Sequence, residues 1–108
     1  MFLKAQGAKV DTPNKDGVTP LFMAAQKGHI EVVRFLKAQG AKADTPNKDG
    51  VTPLYIAAMK GHIEVVRFLV DAKAVLNTAW NGKTPLAVAL QKGHGELAAL
   101  LRAAGAKE

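Results

Sequence analysis

Three histidines recur at one register of this chain, His29, His62 and His94, and each is followed two residues later by a glutamate, Glu31, Glu64 and Glu96. Imidazole and carboxylate at fixed spacing could ligate a metal or relay a proton. Each pair, however, opens a helical segment, and copies on successive helices should lie roughly 10 Å apart, too far to share one ion. Hydrogen bonding at the helix start is the expected role of the histidines. The glutamates suit the first helical turn, where the N-terminal dipole favours negative charge. A residue that returns once per unit is accounted for by the unit and marks no unique active site. Cysteine and serine are both absent, which removes disulfides, a thiolate zinc cage and the two commonest nucleophiles. With no phosphate-cradling glycine loop either, no catalytic site, metal site or cofactor is expected.

The elements that carry these residues are set by a repeat. Residues 2–36 return as residues 35–69, a shift of 33, with four changes: Val10/Ala43, Phe22/Tyr55, Met23/Ile56 and Gln26/Met59. A period of this size means a supersecondary unit that buries its apolar side only by stacking on a neighbour. Thr19-Pro20, Thr52-Pro53 and Thr84-Pro85 read as helix starts, a capping hydroxyl followed by a residue whose missing donor is not needed there. Gly28, Gly61 and Gly93 read as left-handed helix ends beside Lys27, Lys60 and Lys92. The second helix, from Ile30, carries Val32, Val33, Phe35 and Leu36, an apolar set wide enough to predict burial between neighbouring units. Ala24-Ala25 and Ala57-Ala58 allow close helix approach. Asp49-Gly50 predicts the tip of a projecting hairpin.

The whole chain has 108 residues, 48% of them apolar, and a net charge of +6. That fits one soluble domain attracted to an acidic protein surface or a polyanion. No apolar run reaches the roughly 18 residues of a membrane span and the start lacks a secretion signal, so a cytoplasmic setting is the expectation.

The order Thr-Pro-Leu-x-x-Ala-Ala-x-x-Gly-His-x-Glu-Val-Val-x-x-Leu, then Gly-Ala, stands twice and returns a third time in degraded form. In this the chain resembles the ankyrin repeat family over essentially its full length. The resemblance implies an all-α solenoid of stacked helix-turn-helix units with hairpins projecting at right angles. It divides the chain into a partial repeat at 1–15, repeats at 16–48 and 49–81, the latter with a shortened hairpin, and a C-terminal capping repeat at 82–108.

Four departures from the family pattern carry expectations. The histidine that usually follows Thr-Pro-Leu is replaced by Phe22, Tyr55 and Ala87, so its link to the threonine is absent. Residues 2–15 lack an opening helix, leaving Phe2, Leu3, Leu21 and Phe22 at an open apolar edge and predicting self-association through that end. Gly95, Ala98 and Ala99 replace Ile30, Val33 and Arg34 and are read as trimming the surface that would meet another repeat. Lys73 replaces the turn glycine of Gly7 and Gly40, and because a left-handed lysine costs on the order of 1 kcal/mol, another turn geometry is expected there. The hairpin that follows is one residue short.

The resemblance implies a non-catalytic protein-binding module whose first helices line an inner curve. Three of the four differences between the copies fall on that helix, and Phe22 and Gln26, Tyr55 and Met59 share faces one turn apart, with Gln91 in register in the third copy. Position 23/56 is read as packing. The family also uses its hairpin tips, here Lys15, Asp16 and Val18, then Lys48, Asp49 and Val51, then Trp80, Asn81 and Lys83. Trp80 is the leading anchor; a ring folded back on Leu76 or Leu86 is the competing arrangement. Two alternatives stand beside a protein partner: an engineered or fragmentary scaffold with no native partner, since tips of binding repeats normally diverge and Lys15/Lys48 and Asp16/Asp49 do not, and a basic surface for nucleic acid along the lysine ladders, the weaker reading because Asp16 and Asp49 interrupt it.

Overall fold

The computed structural model describes residues 10–108. Among these residues six helices follow one another as three pairs: α1 (Pro20–Lys27) with α2 (Ile30–Ala38), α3 (Pro53–Lys60) with α4 (Ile63–Asp71), and α5 (Pro85–Gln91) with α6 (Gly95–Ala103). No strand forms among the described residues. The pairs stack into an all-α solenoid 42 Å long and 25 by 20 Å across, in which successive first helices make the most extensive contacts.

Each first helix starts and stops where its local chemistry requires. The hydroxyls of Thr19, Thr52 and Thr84 accept from the amides of Phe22, Tyr55 and Ala87 at 3.1 Å, and proline occupies the next position. Gly28 and Gly61 turn left-handed, at φ of 74° and 81°, and their neighbours close the helix onto the carbonyls of the preceding turn. Ala24, Ala25, Ala57 and Ala58 are all buried where the first helices meet. In the third unit Lys92 keeps helical geometry and Gly93 takes the left-handed position.

The histidines do not cap the second helices. Neither His29, His62 nor His94 makes a side-chain cap bond. Instead the ring Nε2 of His62 lies 2.9 Å from the carbonyl of Gln26, and that of His94 lies 3.1 Å from the carbonyl of Met59. Each imidazole thus joins its own unit to the last turn of the preceding first helix, satisfying a carbonyl the helix leaves unpaired. A β-carbon at position 28 would meet the His62 ring at 2.7 Å, and one at 61 the His94 ring at 2.8 Å, whereas position 93 faces open space. Glycine therefore serves at 28 and 61 both for its backbone angle and for the ring lying over it.

A second set of joints recurs with the same period. Asp11 accepts from the amide of Lys42 at 3.1 Å, Asp44 from Val75 at 3.0 Å, and Asn77 from Lys107 at 2.8 Å. Backbone donors that the loops would leave open are thus closed by the preceding unit.

Other sequence expectations need correction. The second helix does not bury its whole apolar set: in α2, Val33 and Leu36 are buried but Val32 is 46% and Phe35 41% exposed. In α4 the corresponding Val65 is 1% exposed, because α2 packs on it, and Phe68 is partly covered with the Arg34 guanidinium 5.5 Å from its ring centre. Phe2 and Leu3 lie outside the described residues. Leu21 and Phe22 are buried, so the apolar edge consists of Met23, Val32 and Phe35 instead. Ala98 is buried like Val33 and Val66, so it faces the core and only Gly95 and Ala99 lie on the surface. Lys73 does adopt the left-handed turn, at φ 67°, in place of Gly40 at φ 96°. The amides of Lys73 and Ala74 bond back to Val70 and Leu69, and this closure of the helix end outweighs a conformational cost of about 1 kcal/mol.

Candidate binding groove

The hairpin tips are built by asparagine. Asn14 Oδ1 accepts from the amides of Asp16 and Val18 at 2.8 and 3.0 Å, and Asn47 Oδ1 from Asp49 and Val51 at 2.9 and 3.0 Å. Each makes a three-residue loop ending in left-handed Gly17 or Gly50. The third tip is shorter by one residue and changes type. Asn81 and Gly82 both have positive φ, 54° and 78°, between Trp80 and Lys83, which exchange backbone bonds of 2.9 and 3.0 Å. Two left-handed residues make the tight turn that Asn-Gly favours.

Successive tips are tied together. The Lys48 amide donates to the Asp16 carbonyl at 3.0 Å, and its ammonium pairs with the Asp16 carboxylate at 3.1 Å. The hydrogen bond and the charge of Asp16 raise the Lys48 ammonium above its ordinary value. Gly17 is needed for this approach, since a β-carbon there would meet the Lys48 amide nitrogen at 2.8 Å.

Between tips and first helices runs a groove of about 480 Å³. Its walls at the tips are Asp16, Val18, Asn47, Lys48, Asp49 and Val51; its floor is Phe22, Gln26, Tyr55, Ile56 and Met59; Trp80 closes one end. Trp80 packs edge-on against Tyr55, ring centres 5.8 Å apart at 74°, the favoured geometry for an aromatic pair. The Tyr55 hydroxyl points to the Trp80 carbonyl at 3.5 Å, a long contact. Burial pushes the Tyr55 phenol above its ordinary 10.0. Trp80 keeps 37% of its surface exposed, so it is neither free of the fold nor sealed within it.

Ten of the fourteen residues singled out from sequence converge on this groove: Asp16, Val18, Phe22, Gln26, Lys48, Asp49, Val51, Tyr55, Met59 and Trp80. Lys15, Asn81, Lys83 and Gln91 do not line it. Asn81 and Lys83 build the turn behind Trp80, and Gln91 lies on α5, one unit along. Phe22 and Tyr55 in the floor and Val51 in the wall are buried and shape the groove more than they offer contact; Gln26, Met59 and Trp80 present surface. Sequence reasoning passed over Asn47 and assigned Ile56 to packing, yet both line the groove. Asn47 carried a signal, the asparagine that opens each of the first two tips; Ile56 reads as an ordinary apolar helix position.

Among the described residues no three His, Asp or Glu side chains gather as a metal would require, and no helix is long and apolar enough to cross a membrane. A family model of ankyrin repeats in three copies matches residues 1–78 and again residues 36–107. No curated protein matches the chain. Threonine-capped first helices, left-handed glycines, second helices stacked behind them and hairpin tips projecting over a groove recur through three units, and with the family match they identify the chain as a member of the ankyrin repeat family.

Proposed function

We propose that this protein is a non-catalytic protein-binding module that takes its partner in the groove between the tips and the first helices. Ankyrin repeats are generally protein–protein interaction modules and typically non-catalytic. The observation that carries the reading is the composition of the groove: half-buried Met59 and partly exposed Trp80 over an aromatic floor, with polar tips around it. Large apolar and aromatic side chains inside a polar rim are what anchors a protein interface. The residues that form it all fall between Asp16 and Trp80. Peptides selected from a random library against the folded chain should lose binding to Trp80→Ala and to Met59→Ala by on the order of tenfold or more with helical content unchanged. Selected peptides that bind both variants at full affinity would place the site elsewhere.

A second surface supports self-association. Met23 is 38% exposed where Ile56 is 6%, and with Val32 and Phe35 it forms an apolar face on the first helix pair. Two copies meeting through this face about a two-fold axis would cover it on both.

A further inference from the structure

The positive charge of this chain is not spread over its surface. Among the described residues, six lysines and two aspartates lie on the hairpin tips and at the ends of the first helices, four charges in excess. On the second helices and connecting segments, seven cations meet seven anions. The whole excess of the described chain therefore lies on the hairpin tips and first-helix ends, and the tips and first helices of the first two units border the groove. The ion pairs join Lys48 to Asp16, Arg67 to Glu64 and Arg102 to Glu108, and none of them engages Lys27, Lys60 or Lys92. These three exposed lysines follow Gln26, Met59 and Gln91 directly, one per unit.

We propose that the groove's partner is an acidic stretch of polypeptide held in extended form. It seats a bulky apolar side chain against Trp80 and Met59 and sets carboxylates about three residues apart against Lys27, Lys60 and Lys92. The spacing follows from two pitches. Neighbouring helices stack at roughly 8–10 Å, and an extended chain rises about 3.3 Å per residue, so one unit of the ladder corresponds to about three residues of ligand. Helix C-termini oppose an anion with about half an elementary charge, and the full charge of the adjoining lysine exceeds that. Nucleic acid fits less well: with Phe22 and Tyr55 buried, Trp80 alone among the groove's aromatic side chains offers a stacking surface.

This inference rests on the groove being the binding surface, and the test separates the two. Two labelled peptide libraries, alike in randomised positions and in one fixed Leu, carry Glu at every third position in one and Lys in the other, and fluorescence anisotropy reads binding to the full chain. Selected Glu peptides should bind, weaken as salt rises, and lose on the order of tenfold in affinity on Lys60→Glu at low salt. Lys42→Glu, on the charge-balanced side, should leave affinity within about twofold. Equal binding of Lys peptides, or no effect of Lys60→Glu, overturns the acidic partner while sensitivity to Trp80→Ala still upholds the groove. Insensitivity to Trp80→Ala removes the groove reading itself. Binding of a mixed-sequence single-stranded oligonucleotide more tightly than any Glu peptide overturns the proposal in favour of a polyanion site.

Discussion

Tyr55 holds the middle of the groove and is the chain's one tyrosine. Its ring is buried under Trp80, and burial disfavours the charged phenolate. The folded pKa is raised above the unfolded value. The corresponding stability is therefore fully present below pH 10 and is lost as pH rises through the folded pKa. Near-ultraviolet absorbance of the native protein should show the phenol titrating above 10, and the unfolded chain should titrate near 10. A native midpoint at or below 10 would mean that the ring is solvated. The partnership with Trp80 was not legible beforehand. Sequence reasoning offered Leu76 and Leu86, as residues the ring could fold back on beside the shortened tip, and the actual partner is 25 residues away in the chain.

At the scale of the element, the helix boundaries were readable because their causes are local. Thr52 caps the amide three residues on, Pro53 follows at once, and Gly61 turns where the helix ends. The joints between units were not readable, because one partner of each is a backbone atom with no identity in sequence. His62 reaches the Gln26 carbonyl and Asp44 the Val75 amide across 36 and 31 residues. The recurrence of histidine at 29, 62 and 94 was visible, but its spacing suits a helix start equally well. The glycine beneath each ring separates the two roles. Gly93→Ala meets only the left-handed backbone cost, roughly 1–2 kcal/mol, since nothing lies above it. Gly28→Ala adds a collision with the His62 ring at 2.7 Å and should cost about 1 kcal/mol or more beyond that. Urea denaturation of the two variants measures the difference. Equal losses would show that the ring yields freely.

For the molecule as a whole, burial is uneven from one end of the stack to the other. Val32 and Val65 are the same residue in the same helix of successive units, yet among the described residues only Val65 has a helix packed over it. The period in sequence therefore predicts the fold of each unit but not its exposure, which depends on position in the array. Self-association through Met23, Val32 and Phe35 should appear in sedimentation as a mass that rises with concentration, and Val32→Lys should return it to the monomer value with the helical content kept. A monomer at every concentration would remove that surface from the proposal. The same periodic construction has a mechanical side. His62 and His94 fasten consecutive units in one way, and Asp11, Asp44 and Asn77 fasten them in another, at every step along the stack. Tension applied to the two ends would be carried through these joints in series, so every joint bears the same load and the weakest of them sets the force at which the stack begins to open.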